Sequence, residues 1–282
     1  MNFTKEINRL NTNSIKWDLM AVEGKPAGTI PMWVADMDFA VPREVKKALK
    51  KVVDQEIYGY SFAPDSYYEA VSDWYKSHYN LEFRKENVVT TPGVVTAVGA
   101  AVRAFTNEGD AVIIQRPVYY PFSMMIERND RRVVNSPLIN VEGRYIMDIE
   151  DFERKIVENN VKLFILCNPH NPVGRVWTKE ELSGIAAICE RHNVIVVSDE
   201  IHCDFVLDGR KHNPFVNVSD KGKSYVVTCT APSKTFNLAG LQTSNIIIFD
   251  KDLREKFQAE LDKLSVGMIG PMGIAACEAA YR

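Results

Sequence analysis

The sequence has no long apolar run, no excess of charge of one sign and no leader-like start. Apolar runs such as 194–197 and 246–249 are far shorter than the roughly 20 residues that a membrane-spanning helix needs. The polar N-terminus, Met-Asn-Phe-Thr-Lys-Glu-Ile-Asn-Arg, lacks the apolar core of a signal peptide. The 34 lysines and arginines stand against 37 aspartates and glutamates, so no basic surface for nucleic acid or membranes is indicated. We expect a cytoplasmic protein that binds neither.

Cysteine is also scarce and unpatterned. The five cysteines are odd in number, widely spaced and without a Cys-x-x-Cys pair, which argues against a disulfide framework and against a zinc site. A free thiol in an apolar strand behaves as a small hydrophobic side chain. We therefore expect core thiols, and no bound metal, at Cys167, Cys189, Cys203, Cys229 and Cys277.

No internal repeat, low-complexity tract or flexible linker interrupts the 282 residues. With 46% hydrophobic and 25% charged residues, the composition suits a globular protein with a large core. Segments of two-residue apolar periodicity alternate with segments of helical periodicity, which predicts an α/β fold with a mainly parallel sheet flanked by helices. Strands are predicted at 88–91, 111–115, 162–167, 194–198, 225–229 and 243–249. Helices are predicted at 42–55, 65–78, 94–105, 151–158, 179–191 and 251–264.

Polar or glycine-containing loops follow five of the predicted strands. In an open parallel sheet, ligands bind at the carboxyl ends of the strands, and these ends share one edge. The five loops are therefore expected to form a single site. They begin at Thr91, Arg116, Asn168, Asp199 and Thr230.

The side chains in these loops suit pyridoxal phosphate (PLP), which needs an amine for its aldehyde, an anion for its pyridine nitrogen and an aromatic face. Lys234 supplies the amine. Asp199 would favour the protonated pyridine nitrogen, which makes the ring a strong electron sink. Asn171 would donate a hydrogen bond to the phenolic oxygen, and Tyr119 is placed to stack on the ring.

The phosphate of such a cofactor needs a separate binding site. Gly93 precedes a predicted helix, so the backbone N–H groups of Val94 and Val95 are available to a dianion. Ser233, beside the lysine, adds a hydroxyl donor.

Each residue alone also has an ordinary structural interpretation. Asp199 could cap a helix, and Asn171 between two prolines could shape a turn. Either Tyr119 or Tyr120 could be the stacking ring, or both could be core aromatics. His202 fits a packed histidine as well as a cofactor neighbour. The joint occurrence of amine, carboxylate and amide at neighbouring strand ends favours the cofactor site.

Several motifs, in this order, resemble the aspartate-aminotransferase superfamily of fold-type-I PLP-dependent transferases. They are Asn-Pro-His-Asn-Pro-Val-Gly-Arg-Val at 168–176, Ser-Asp-Glu-Ile-His at 198–202 and Ala-Pro-Ser-Lys-Thr-Phe-Asn-Leu-Ala-Gly at 231–240. The run Pro-Met-Trp-Val-Ala-Asp-Met-Asp-Phe at 31–39 resembles the cystathionine β-lyase, or C–S lyase, branch. His202 points to the same branch, since typical aminotransferases carry a tyrosine there.

The resemblance covers essentially the whole chain and implies a role for each candidate residue. Lys234 would bind PLP covalently as a Schiff base and take part in catalysis. Asp199 would pair with the pyridine nitrogen, Asn171 would bind the phenolic oxygen and Tyr119 would stack, with His202 beside the cofactor.

The resemblance also implies contacts from outside this site. Tyr60 would reach the phosphate of the neighbouring subunit's cofactor, which implies a homodimer. Trp33 and Ala35 would lie near the amino-acid substrate. Residues 1–45 would form an arm and part of a small domain, and residues 46–282 the large PLP-binding domain. A C-terminal small domain is expected to be missing, because the chain stops in an uncapped alanine-rich run.

Two positions depart from the superfamily pattern. Gln242 stands where many aminotransferases have a phosphate-binding arginine, and Ala231 stands where they have a serine. Phosphate binding is therefore expected to depend on Ser233, Thr230 and the loop at Gly93.

The implied reaction is α,β-elimination from an L-amino acid with a β-thiol leaving group, such as cystathionine or cysteine. Its products are pyruvate, ammonia and a thiol. Lys234 would remove the Cα proton as a general base. The sequence leaves two alternatives open, an aminotransferase and a truncated cofactor-binding protein without turnover.

Overall fold

The computed structural model describes residues 3–207 and 209–282. The strands in these residues are β1 (Val88–Thr91), β2 (Ala111–Ile114), β3 (Arg132–Asn135), β4 (Ile139–Val141), β5 (Arg144–Ile146), β6 (Leu163–Cys167), β7 (Ile195–Asp199), β8 (Val226–Thr230) and β9 (Ser244–Ile248). The helices are α1 (Asp18–Val22), α2 (Arg43–Val53), α3 (Asp65–Tyr79), α4 (Val94–Phe105), α5 (Pro121–Glu127), α6 (Ile149–Asn159), α7 (Lys179–Arg191), α8 (Pro232–Thr235), α9 (Lys251–Leu264) and α10 (Pro271–Tyr281).

Seven strands form one sheet in the order β1-β9-β8-β7-β6-β2-β3, while β4 and β5 form a separate hairpin. The neighbours from β8 to β3 are parallel, and β9 runs antiparallel to both β1 and β8. Strands β1, β2, β6, β7 and β8 therefore point the same way and end at one edge. Strands β2 and β6 are buried along their whole length, which accounts for their continuous apolar sequences.

Helices cover both faces of the sheet. Helix α4 is apolar on almost every side because it packs between the sheet and α9. Helix α9 is amphipathic and buries Leu253, Phe257 and Leu261 at helical spacing. On the opposite face, a larger core surrounds Phe164 and Trp177, and α10 packs on α2 and α3. The predicted α/β class with a mainly parallel sheet is confirmed.

The best-predicted elements are those with strong local signals. Helices α4, α7 and α9 and strand β1 have the predicted bounds. The N-terminus of α7 carries the expected capping box: the Thr178 hydroxyl accepts from the Glu181 N–H at 3.2 Å, and the Glu181 carboxylate accepts from the Thr178 N–H at 2.8 Å. The five cysteines are free and buried. Within the described ranges, no helix is both long and apolar enough to cross a membrane.

The differences are at the ends of predicted elements and in segments without a clear apolar pattern. Helix α2 is three residues shorter than the predicted 42–55. Strand β7 is shifted by one residue from the predicted 194–198, so that Asp199 ends the strand instead of opening the loop. Strand β3 and the β4–β5 hairpin were not predicted. Every residue of β4 is exposed, so the hairpin has no alternation of buried and exposed positions to detect.

Candidate active site

A cavity of about 710 Å³ opens at the edge of the sheet where the parallel strands end. The loops after β1, β2, β6, β7 and β8 all contribute to its lining, as expected from the direction of the strands. The segment 32–35 contributes from the N-terminal part of the chain. Of the predicted site residues, the cavity is lined by Trp33, Ala35, Gly93, Val94, Val95, Tyr119, Asn171, Asp199, His202, Ser233 and Lys234.

Lys234 lies on the one-turn helix α8, directly after β8. Its Nζ donates a hydrogen bond to the backbone oxygen of Ala35 at 2.8 Å. Burial lowers the pKa of the Lys234 amine, and the negative charges of Asp36 and Asp199 offset part of this effect by raising it. A lowered pKa leaves more of the amine uncharged at neutral pH, as a nucleophile or base requires.

Asp199 is the last residue of β7 and only 4% exposed. Burial raises the pKa of its carboxyl group to about 7, and the neighbouring Glu200 acts in the same direction. The Ile201 N–H, which donates to the carboxylate at 3.1 Å, and the Lys234 charge act in the opposite direction. Among the described residues, no cation lies within ion-pair distance of Asp199. The site thus contains a carboxylate whose charged form lacks a close positive partner.

Asn171 lies in the loop that follows β6. Its backbone N–H donates to the Cys167 thiol at 3.3 Å, which fixes the loop against the end of the strand. His170 Nε2 donates to the Pro117 carbonyl at 3.0 Å, so this loop is tied to the one that carries Tyr119. Burial lowers the pKa of His170 to about 4, which keeps the ring neutral and able to act as this crosslink. His170 therefore has a structural role in this loop.

The two adjacent tyrosines differ in environment. Tyr119 is half-buried and packs edge-on against Phe122, with ring centroids 5.8 Å apart. Tyr120 is 71% exposed. Both line the cavity, but the Tyr119 ring is half-buried and packs on Phe122, whereas Tyr120 is mostly exposed, which favours Tyr119 as the stacking residue.

Gly93 caps the N-terminus of α4 with φ +116°, a conformation that other residues rarely adopt. The first-turn N–H groups of α4, including those of Val94 and Val95, have no helical acceptor and lie at the cavity wall. Ser233 and Gln242 also line the cavity. Thr230 does not: its hydroxyl is fully buried and donates to the Asn245 carbonyl at 2.9 Å. The expected contribution of Thr230 to phosphate binding is wrong, because its side chain serves the β8–β9 pair.

His202 and Trp33 border the cavity on different elements. Burial lowers the pKa of His202 to about 4, so the ring is neutral near pH 7. Trp33 Nε1 donates to the Lys16 carbonyl at 3.2 Å. Tyr60 is not part of this cavity and is 96% exposed.

The model of the family described as "Aminotransferase class I and II" matches residues 29–274. The chain belongs to this aminotransferase family. It is 46% identical to cystathionine β-lyase PatB of Bacillus subtilis (strain 168) over 281 residues, which is all of this chain and 73% of that protein.

Two solved structures of PLP-containing proteins superimpose closely on this chain. Cystalysin from Treponema denticola, whose crystal structure contains PLP, has a TM-score of 0.95 and 40% identity, with 99% of this chain and 72% of that chain covered. The PLP-bound C–S lyase of Staphylococcus hominis has a TM-score of 0.91 and 37% identity, with 100% and 70% covered. These matches confirm the fold-type-I architecture.

Two residues that support the site in this aminotransferase-family chain were not found from the sequence. Asp204 accepts hydrogen bonds from Thr235, Trp74 and Tyr79, and so ties the loop after Asp199 to the turn that carries the lysine. Asn237 bonds to the backbone of the segment 37–39. Neither residue has a distinctive local pattern, because both act across large sequence separations.

Proposed function

We propose that this chain is a PLP-dependent C–S lyase that acts on L-cystathionine, L-cysteine and related amino acids. The comparisons support this, since one 46% identical relative is a cystathionine β-lyase and one structural neighbour is a PLP-bound C–S lyase. The observation that carries the proposal is the convergence of the Lys234 amine and the buried Asp199 carboxylate on one cavity. The products would be pyruvate, ammonia and a thiol.

The residues of the cavity fit the cofactor. A buried carboxylate without a close cation is unfavourable in its charged form, and a protonated pyridine nitrogen would relieve this state at Asp199. The Lys234 amine faces the same cavity and experiences the charge of Asp199. When bound, PLP supplies an aldehyde carbon that reacts with amines and a pyridine ring that withdraws electrons from the substrate Cα.

We assign the remaining cavity residues to contacts that hold each part of the cofactor. Tyr119, fixed by its packing on Phe122, would cover one face of the ring. The N-terminus of α4 would bind the phosphate. The full assignment is Asn171 to the phenolic oxygen, His202 beside the ring, and Gly93, Val94, Val95 and Ser233 to the phosphate.

Lys234 has two tasks in this proposal. Its amine attaches the cofactor and, once released, takes the proton from the substrate Cα, which its lowered pKa favours. The Ala35 carbonyl, 2.8 Å from Nζ, provides an acceptor that can hold the protonated amine between steps. Trp33 and Ala35 border the cavity on this side, so we assign them to the substrate.

Product analysis tests the reaction. The PLP-loaded chain is incubated with L-cystathionine, and pyruvate and free thiol are measured without any 2-keto acid. We expect both products to form in equal amounts. Each elimination releases one thiol, and hydrolysis of the remaining fragment gives one pyruvate and one ammonia. No pyruvate, together with a keto-acid product that requires an added 2-keto acid acceptor, would contradict the lyase.

That second outcome would support an aminotransferase, the alternative favoured by the description of the family model. It would use the same Lys234 and Asp199, but the proton would return to the cofactor instead of a thiolate leaving Cβ. A chain that binds PLP and turns over neither way would be the cofactor-binding protein without activity.

We also propose a homodimer with shared sites. The segment 57–62 is apolar and exposed, with Ile57, Tyr58, Tyr60 and Phe62 all more than half accessible. An exposed apolar run of this kind is typical of an interface. Tyr60 would cross this interface to the phosphate of the cofactor in the other subunit.

Mixing two inactive variants tests the shared site. Lys234→Ala and Tyr60→Ala chains, unfolded and refolded together, form hybrid dimers in which one site has both residues if Tyr60 acts across the interface. We expect about one quarter of wild-type activity from an equal mixture. Activity no higher than the sum of the two separate variants would contradict the exchange.

Two further proposals concern the cellular location and the domain organisation of the chain. We propose a cytoplasmic location, supported by five unpaired buried thiols, which persist in a reducing compartment.

We further propose that residues 1–45 form an arm and part of a small domain and that residues 46–282 form the cofactor domain. The support is that every strand of the described residues lies in the second part.

A further inference from the structure

The segment 35–39, part of the run that resembles the C–S lyase branch, is tied to the lysine-bearing turn by the Asn237 side chain. Asn237 Oδ1 accepts a hydrogen bond from the Met37 N–H at 3.0 Å. Its Nδ2 donates to the carbonyls of Met37 at 2.9 Å and Phe39 at 3.1 Å. The Asn237 side chain therefore uses both its donor and its acceptor on the backbone of one segment nearly 200 positions away.

A charged cluster also holds the same segment. Arg9 donates to both carboxylate oxygens of Asp36, at 2.9 and 3.0 Å, and to Asp38 at 2.9 Å. Lys16, whose side chain is largely buried, donates to Asp38 at 2.7 Å and to the Asp36 carbonyl at 2.9 Å. Trp17 adds a bond to Asp38 at 2.8 Å. The segment is thus fixed to the N-terminal region by side chains and to the lysine-bearing turn by Asn237.

Asn237 and Lys234 lie three residues apart on one short turn. The turn is closed by hydrogen bonds from the Phe236 N–H to the Pro232 carbonyl and from the Leu238 N–H to the Ser233 carbonyl, both 3.0 Å. The distance between Lys234 and Asn237 is therefore set locally. Because Asn237 fixes Met37, it also fixes the carbonyl of Ala35, two residues earlier, which accepts from Lys234 Nζ.

We propose that Asn237 is a positioning residue that holds the Ala35 carbonyl against the Lys234 amine. It touches neither the cavity nor the reacting atoms and acts through Ala35. The carbonyl oxygen favours the protonated amine and restricts where Nζ rests once it is released. The inference rests on the proposed function only for its effect on turnover.

Three titratable groups face Lys234 from the elements around it. Asp36 on the held segment and Asp199 at the end of β7 favour the protonated amine, and His202 is a neutral neighbour near pH 7. Without Asn237 the segment stays attached to Arg9 and Lys16 but is no longer tied to the turn that carries Lys234. The Ala35 acceptor then moves away from Nζ, which lowers the pKa of the amine. Asp199 and His202 stay on β7 and its loop.

The test uses a substitution that leaves the backbone conformation accessible. Asn237 has φ 59°, a left-handed conformation that glycine adopts without strain, so Asn237→Gly deletes the three hydrogen bonds alone. Asn193→Gly is the matched control, because Asn193 has φ 53°, is exposed and makes no side-chain hydrogen bond to any described residue. Asn237→Asp, which keeps the acceptor for Met37 but loses both donors, is the second variant.

The first measurement is independent of turnover. The full chain, freed of cofactor, is labelled with acetic anhydride over a range of pH, and the modified fraction of Lys234 is read by mass spectrometry. We expect the midpoint of labelling to move to lower pH in Asn237→Gly, less so in Asn237→Asp, and to stay unchanged in Asn193→Gly.

The second measurement determines kcat and KM separately for the PLP-loaded chain. We expect Asn237→Gly to lower kcat about tenfold or more, with a much smaller change in KM, because the base is misplaced and the binding surface is kept. A folded Asn237→Gly chain with the labelling profile of wild type would overturn the proposal. If the wild type itself shows no turnover, the proposed function fails, while the labelling result still decides the role of Asn237.

Discussion

Lys234→Ala is expected to lower the rate of elimination by about 10³-fold or more and to remove the visible absorbance of the lysine-linked cofactor. The reason is that one side chain provides both the covalent attachment and the base at Cα. Both losses follow from a single missing amine. Absorbance spectra of the PLP-incubated variant and a pyruvate assay measure them together.

Lys51→Ala serves as the control, because Lys51 is an exposed lysine of α2 that does not line the cavity. It should keep the spectrum and rate of wild type. If Lys234→Ala retained the absorbance band, another lysine would hold the cofactor and the assignment would be wrong.

Asp199→Asn is expected to have two opposite effects. With cofactor, the neutral amide cannot pair with a protonated pyridine nitrogen, so PLP affinity and turnover should each fall about 10²-fold or more. Without cofactor, the variant should be more stable than wild type at pH 8, by on the order of 4 kcal/mol. Chemical unfolding of the cofactor-free chain, and titration with PLP, measure the two effects.

The pH dependence of the stability effect follows from the sign of the shift. The pKa of Asp199 is raised from 3.8 to about 7 by burial, so the unfolded chain releases the proton first as pH rises. Wild-type stability is therefore lost between about pH 4 and pH 7, and the gain in Asp199→Asn should vanish near pH 4. Asp220→Asn, at an exposed aspartate, is the control and should show no such gain. Equal stability of wild type and Asp199→Asn at both pH values would contradict an unpaired buried carboxylate.

The sequence was most informative where local signals were strong. Helices α4, α7 and α9 have the predicted bounds because apolar periodicity or a capping box marks them. The five loops were assigned to one site because parallel strands must end at the same edge of the sheet. This general rule brought residues from Gly93 to Lys234 into one cavity without knowledge of any contact.

What the sequence did not reveal depends on tertiary contacts. Thr230 was expected at the phosphate, but the strand pairing with β9 turns its hydroxyl to Asn245. Asp204 and Asn237 support the lysine through partners that are from about 30 to 200 residues away. Single residues that act at such separations leave no periodicity or spacing to detect. The exposed β4–β5 hairpin was missed for the opposite reason, since it has no buried face.

The most direct measurement is the site of covalent attachment. The chain is incubated with PLP, reduced with borohydride, digested and examined by mass spectrometry, in wild type and in Asp199→Asn. We expect the pyridoxyl label on the peptide that contains Lys234, and much weaker labelling at the same PLP concentration in Asp199→Asn. Labelling of a different lysine, or equal labelling of Lys234 in both chains, would contradict a cofactor held between this amine and this carboxylate.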